Sequence, residues 1–224
     1  MVERKPEESS KEEHLNGIKT VISDWSGVIS DDRQPVYEAN MRVIESYGKK
    51  RVTFDEWLPT TRMRPDEYFG DHGIVDSIDN FYEKYRSFFN QVREEGIHPE
   101  LYSDVVVALQ TLVKRGFPIF VVSSHPKENL QEEAHEYEID TYITDFFGSV
   151  TDKSEAMLAI CTKTGITPIQ AVYLGDTIYD VQSARKAGVH AIAMTTGYHA
   201  RKRLAGESPD LVLDSLSALI DRIN

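Results

Sequence analysis

Ile22-Ser23-Asp24-Trp25-Ser26-Gly27-Val28-Ile29 decides how this chain is read. The β-formers Thr20, Val21 and Ile22 lead into an acid, and a glycine follows three residues later. That pattern predicts a strand whose carboxyl end presents a carboxylate in a tight loop. In open α/β sheets this edge is where ligands bind. Asp24 is therefore a candidate nucleophile or metal ligand. Ser26, two places on, limits the chemistry that can follow.

Outward from that stretch, β-rich runs alternate with helical patterns. Strands are predicted at Ile18–Ser23, Pro118–Ser123, Phe146–Val150, Ala171–Leu174, Ala191–Met194 and Leu211–Leu213. Between them, Ser103–Arg115, Pro126–Tyr137, Ser154–Thr164 and Tyr179–Ala187 carry amphipathic spacing. Gly116, Gly165 and Gly188 stand at helix ends, where left-handed caps are expected. The alternation predicts an α/β fold: a Rossmann-like parallel sheet with helices on both faces. The stretch from Pro35 to about Pro99 breaks it, with helical patterns at Val36–Tyr47, Phe54–Leu58, Arg64–Gly70 and Ile78–Glu94. The expectation is a core of residues 1–33 and 99–224 with an inserted helical cap domain at 34–98, hinged near Ser30–Gln34 and Ile97–Leu101.

Composition narrows the partners. The 224 residues carry 25 Lys+Arg against 37 Asp+Glu, a formal charge of −12. Nucleic acid and anionic membrane surfaces both need a basic face, so neither is expected as a partner. An acidic surface also repels anionic substrates at long range, so a phosphate site needs local positive charge or a metal. A single cysteine, Cys161, rules out an intramolecular disulfide and points to a reducing, cytoplasmic setting. Cys161 falls on the apolar face of its helix, a core position. No apolar run reaches the ~20 residues of a membrane helix, and the charged stretch Glu3 to Glu13 lacks the pattern of a secretory signal. Oligomeric state is left open.

Four features fall at predicted carboxyl ends of strands: Asp24; Ser123 with Ser124; Lys153; and Gly175-Asp176-Thr177-Ile178-Tyr179-Asp180. Singly, each has an ordinary explanation as a helix cap, a turn or a solvated side chain. In order along one sheet edge, they are hard to explain as packing. The set resembles the haloacid dehalogenase superfamily of phosphatases and phosphoryl-transfer enzymes, over Ile18 to Ile220. Thr196-Gly197-Tyr198-His199 and Pro209-Asp210-Leu211-Val212-Leu213-Asp214-Ser215-Leu216 resemble its phosphoglycolate-phosphatase-like branch. The helical insertion resembles a cap placed between the first and second strands.

The resemblance implies a Mg²⁺-dependent phosphohydrolase acting on a small phosphorylated metabolite through an aspartyl-phosphate. A carboxylate attacking phosphorus divides one hard step into two, and Asp24 takes that role. Asp24, the Ser26 carbonyl and Asp176 are candidate Mg²⁺ ligands, and Asp180 would orient the metal's water shell. Ser123, Ser124 and backbone near Gly27 would hold phosphoryl oxygens, and Lys153 would neutralise transition-state charge. Arg62 and Arg64 fit a cap loop over an anionic substrate or, equally, surface ion pairs. His125 follows the Ser pair and lines the site or, the preferred reading, serves the turn, and Trp25 walls the pocket or packs beneath it.

Ser26 departs from the family pattern, which has a second aspartate there as general acid and base. A hydroxyl hydrogen-bonds but supplies no carboxylic-acid catalysis, a contribution of about 10²–10⁴-fold. Three readings follow. One is a phosphatase that favours good leaving groups, such as acyl phosphates. Another is a relative of phosphonoacetaldehyde hydrolase, whose Asp-Trp-Ala-Gly is similar to Asp24-Trp25-Ser26-Gly27. That group needs a cap lysine for its imine, and Thr60-Thr61-Arg62-Met63-Arg64 has none. The third is a catalytically weak phosphate-binding module, for which there is no reason to keep Asp24, Lys153, Asp176 and Asp180 together.

Overall fold

The computed structural model describes residues 14–61 and 64–224. In chain order the elements are β1 (Thr20–Ser23), β2 (Ser30–Asp31), α1 (Arg33–Ser46), α2 (Phe54–Trp57), α3 (Pro65–Asp71), α4 (Ile78–Glu94), β3 (Glu100–Leu101), α5 (Val105–Lys114), β4 (Ile119–Val122), α6 (Lys127–Glu136), β5 (Asp145–Phe147), α7 (Lys153–Thr164), β6 (Ala171–Gly175), α8 (Ile178–Ala187), β7 (His190–Met194), α9 (Arg201–Ala205), β8 (Leu211–Leu213) and α10 (Ser217–Ile220). Six strands form one sheet in the order β5-β4-β1-β6-β7-β8. Every pairing in it is parallel.

Both faces of this sheet are buried, so its strands read as continuous apolar runs. Odd and even positions nevertheless separate. Val21, Val121, Val172, Leu174, Ile192 and Met194 pack against α5, α6 and α10. Ile22, Phe120, Val122, Tyr173, Ala191 and Ala193 pack on the other side against α7, α8 and α9. Cys161 is buried within that second cluster, as its place on the helix face predicts. Gly165 and Gly188 end α7 and α8 at φ of 69° and 71°. A side chain there would be strained in the left-handed region. Among the described residues no helix is long and apolar enough to cross a membrane.

The residues between the first and second sheet strands build a third apolar cluster of their own. Tyr37, Met41 and Ile44 of α1 pack with Trp57, Phe69 and Phe81 of α2, α3 and α4. Two details differ from expectation. Helix α1 begins at Arg33, ahead of Val36, because Pro35 lies in the first turn, where a missing N–H costs nothing. The two connections to the core pair with each other: β2 and β3 form an antiparallel ribbon, Ser30 opposite Leu101 and Asp31 opposite Glu100. Two residues per strand leave no periodicity to read.

The predicted strand Phe146–Val150 is also shorter, ending at Phe147. Beyond it, Ser149 adopts φ 54°. Its N–H donates to the His125 carbonyl at 2.7 Å, and the Val150 N–H donates to the Ser123 carbonyl at 3.0 Å. The chain turns back to support the loop after β4 instead of continuing the sheet.

Candidate active site

Strand register assembles the site. Ser23 lies opposite Val121 of β4 and Leu174 of β6. Asp24, one residue on, and Ser123 and Asp176, each two residues on, therefore emerge at the same carboxyl edge. Chain order reverses about β1, whose neighbours are β4 on one side and β6 on the other. Such a switch point opens a crevice for ligands.

Asp24 is 6% exposed. Its Oδ1 accepts from the Trp25 N–H at 2.8 Å, and its Oδ2 from Lys153 Nζ at 2.6 Å. The turn after it wraps on one acceptor: the Trp25 carbonyl receives the Ile29 N–H at 2.9 Å and the Ser30 N–H at 3.0 Å. Lys153 reaches in from the first position of α7. That helix start is fixed by Asp152, whose side chain accepts from Ser154 and Glu155 N–H groups. Lys153 Nζ also donates to Asp180 Oδ1 at 2.7 Å.

Asp180 is held from four directions. Lys153 and the Tyr173 hydroxyl donate to Oδ1, the latter at 3.0 Å. The Thr177 N–H and hydroxyl donate to Oδ2. Thr177 in turn caps α8, and the pair forms a reciprocal capping box. Asp180 thus orients Lys153 and carries negative charge beneath the site. Asp176, 1% exposed, accepts at Oδ2 from the Tyr198 N–H at 2.6 Å.

One carboxylate oxygen from each of Asp24, Asp176 and Asp180 lies within 4.8 Å of the other two. Three buried acids meet one ammonium here. Burial pushes the Asp24 carboxyl up to about 6, against the pull of Lys153. Burial, then Asp180 and Asp24, hold Asp176 well above the carboxylate range. Lys153 sits well above its ordinary value: Asp180 and Asp24 outweigh the burial that would lower it. This surplus negative charge, with oxygen donors only, fits a divalent cation. The backbone leaves room for the Asp176 carboxylate. A Cβ at Gly27 (φ 73°) or at Gly197 would collide with the Asp176 carboxylate.

Ser123 is buried, and its Oγ accepts from the His125 N–H at 3.2 Å; Ser124 is exposed beside it. The Ser26 hydroxyl is buried without a hydrogen-bond partner. It lies close enough to Asp32 to favour that carboxylate, although burial leaves Asp32 above its usual range. Of its two expected roles, Trp25 takes the packing one: it is 1% exposed, stacks with Tyr137, and its Nε1–H donates to Glu133 Oε2 at 2.8 Å. Arg64 pairs with Asp66 at 2.8 Å and is 61% exposed. A role over substrate would require that pair to open. Arg62 lies outside the described residues.

Tyr173 and Asp32 are participants that the sequence does not single out; Thr177, Gly197 and Tyr198 stand in its quoted motifs without an assigned role. Thr177 had a readable signal in its capping-box spacing to Asp180. Tyr198 had no signal for its role, because it acts through its backbone N–H on Asp176 and through its hydroxyl on Asp32 Oδ1, 2.9 Å away.

A haloacid dehalogenase-like hydrolase family model matches residues 21–194, a span that holds all of these groups except Gly197 and Tyr198. The chain belongs to the haloacid dehalogenase-like hydrolase family. A phosphoglycolate phosphatase of Photobacterium profundum is 24% identical over 221 residues, covering 92% of this chain and 96% of that one. Another, from Aliivibrio fischeri, is 24% identical over 220 residues, covering 91% and 95%. The haloacid dehalogenase-like hydrolase SP0104 of Streptococcus pneumoniae superposes with a TM-score of 0.78 at 18% identity, covering 92% of this chain and 98% of that one. At that identity the likeness is one of fold.

His199 gives the site a pH-dependent support. It is 6% exposed, and its Nδ1 accepts the Ile178 N–H at 2.9 Å, capping α8. Burial, aided by Arg203, holds its imidazole down at about 4. An unfolded histidine titrates near ~6.5, so the unfolded chain takes up the proton first as pH falls. The stabilisation is complete above that pH and is lost from there down toward 4. The stability gap between wild type and His199→Gln should therefore shrink, on the order of 1 kcal/mol, between about pH 7.5 and about pH 5. Paired chemical-denaturation curves measure it. A constant gap would show that the imidazole is not held neutral.

Proposed function

We propose that this protein is a Mg²⁺-dependent phosphohydrolase acting on a small phosphorylated metabolite, with Asp24 as nucleophile. The observation that carries this reading is the buried contact of Asp24 and Asp180 with one lysine, Lys153, at 2.6 and 2.7 Å, with Asp176 beside them. The phosphatase names of the two full-length relatives agree with it.

Asp24 attacks phosphorus, the bond from phosphorus to the ester oxygen breaks, and that oxygen takes a proton from water. Water then cleaves the aspartyl-phosphate, releasing inorganic phosphate and restoring the carboxylate. Lys153 offsets charge on the phosphoryl oxygens, and Ser123 with the following backbone N–H groups binds them. Asp24, Asp176 and the Ser26 carbonyl would hold the cation, with Asp180 behind them. When bound, that cation offsets the repulsion between carboxylate and phosphate and polarises a phosphoryl oxygen. Residues 34–98 act as a cap over this edge, moving about the β2–β3 ribbon against a core of 1–33 and 99–224. The separate apolar cluster of these helices supports that division.

The test is release of inorganic phosphate from acetyl phosphate, p-nitrophenyl phosphate and alkyl phosphates, with Mg²⁺ and after its removal by chelation. Turnover that survives chelation would refute the metal's part, and no turnover on any ester would refute the reading.

Ser26 sets the expected substrate order. With no carboxyl to protonate the leaving oxygen, acyl and aryl phosphates should outrun alkyl phosphates. Ser26→Asp should raise kcat on alkyl phosphates about 10-fold more than on aryl ones, within the range general acid catalysis supplies. Equal changes on both would assign Ser26 a purely geometric role.

A further inference from the structure

Tyr198 belongs to two places at once. Of the described residues that build or pack against the apolar cluster of the inserted helices, it alone comes from outside residues 34–98. Its ring meets Trp57 of α2 edge to face, with centroids 6.0 Å apart. Its hydroxyl donates to Asp32 Oδ1 at 2.9 Å. Asp32 is buried directly before α1, where an aspartate side chain ordinarily caps the helix. It makes no capping bond there, and its Oδ1 serves Tyr198 instead.

The backbone of the same residue belongs to the carboxyl edge of the sheet. Its N–H donates to Asp176 Oδ2 at 2.6 Å. The following N–H, of His199, donates to the Asp176 carbonyl at 3.3 Å. A Cβ at Gly197, one residue before, would strike the Asp176 carboxylate. The main chain at 197–199 is thus clasped to Asp176, and the Tyr198 side chain is an arm from that clasp into the inserted helices. Arg93 of α4 and Glu136 of α6 also meet across this boundary, at 4.0 Å, but both are exposed. Such a pair fixes little.

We propose that Tyr198 is a positioning residue that couples the cap to the cation ligand Asp176. Docking of the cap on the arm holds the Asp176 carboxylate in place, and a cation at Asp176 steadies the cap in return. This rests on the phosphohydrolase reading above and names the link between its metal and its cap. An N–H fixed on one carboxylate oxygen orients the whole group toward a metal. A coupling between two sites acts equally in both directions.

Calorimetric titration of the full chain with Mg²⁺ alone tests one direction. Tyr198→Phe keeps the ring and the N–H on Asp176 and loses only the bond to Asp32. It should nevertheless weaken Mg²⁺ binding about five-fold or more, the low end of the range for coupled sites. Trp57→Leu, which alters no group at the sheet edge, should do the same, and it carries the test if Tyr198→Phe fails to fold. Amide hydrogen exchange tests the other direction. Mg²⁺ should slow exchange in α1, α2 and α4 of the wild type and leave it unchanged in the folded variants. Circular dichroism checks the fold of each. Mg²⁺ affinities within about two-fold of wild type, or wild-type exchange indifferent to Mg²⁺, would overturn the proposal. Wild-type Mg²⁺ binding with Asp24-dependent turnover of p-nitrophenyl phosphate would still leave the phosphohydrolase reading standing. A wild type that binds no Mg²⁺ would overturn both.

Discussion

Asp24→Asn should fold as the wild type does and lose phosphate release from every ester by at least about 10⁴-fold, the scale on which removing a covalent nucleophile acts. The two halves of this expectation have separate causes. An amide nearly reproduces the shape of the carboxyl, and its oxygen can still accept the Trp25 N–H that holds Asp24 Oδ1 at 2.8 Å. Burial already pushes the native carboxyl up to about 6, so a neutral group there relieves one desolvated charge. Against that, Lys153 loses one of two buried acids but keeps Asp180 at 2.7 Å. The net change in stability should be small, about 1 kcal/mol in either direction. The amide, however, is no nucleophile toward phosphorus. Circular dichroism, a denaturation curve and single-turnover phosphate release on the same preparation separate the effects. Loss of the fold would leave Asp24 a structural residue. A folded variant with more than a hundredth of wild-type turnover would remove it from the covalent step.

What the sequence could disclose follows from the range over which each contact acts. Asp24, Lys153, Asp176 and Asp180 each follow an apolar run or a strand-to-helix turn, so local pattern finds them. Gly27 shows its purpose only in three dimensions, where a side chain would strike Asp176, 149 residues along the chain. Glu133 meets Trp25 across a separation of 108 residues, and no periodicity within α6 marks it. Tyr173 alternates with apolar neighbours on β6 and reads as core, which it is, yet its hydroxyl also holds Asp180. The β2–β3 ribbon is too short to leave a pattern. Arg64 was legible only as an alternative: its charge fits a substrate contact or a surface ion pair, and Asp66, two residues on, supplies the ion pair. Local pattern thus marks the residues that emerge at the sheet edge, while those that orient them come from contacts that only the completed fold creates.

Lys153→Met should cost about 3–5 kcal/mol, the usual price of leaving buried charge without its partner. Methionine matches the length of the aliphatic stem, so the loss is electrostatic and not a cavity. The side chain is 6% exposed, and the side chains of the two acids it meets, Asp24 and Asp180, are 9% and 1% exposed. Without the ammonium, three carboxyl groups within 4.8 Å must protonate or repel one another. At this chain length that energy corresponds to a melting temperature lower by roughly 10 °C. Lys163→Met is the matched control. Its ammonium lies 2.7 Å from Asp145, nearly the same separation, but the side chain is 55% exposed. Solvent screens that pair, and its removal should cost less than about 1 kcal/mol. Two lysines at equal distance from an aspartate thus differ several-fold in expected cost through burial alone. Equal losses in denaturation experiments would show that the charge balance drawn around Asp24 is wrong. A large loss confined to Lys153→Met would establish that the cation proposed to offset phosphoryl charge also holds the three acids together.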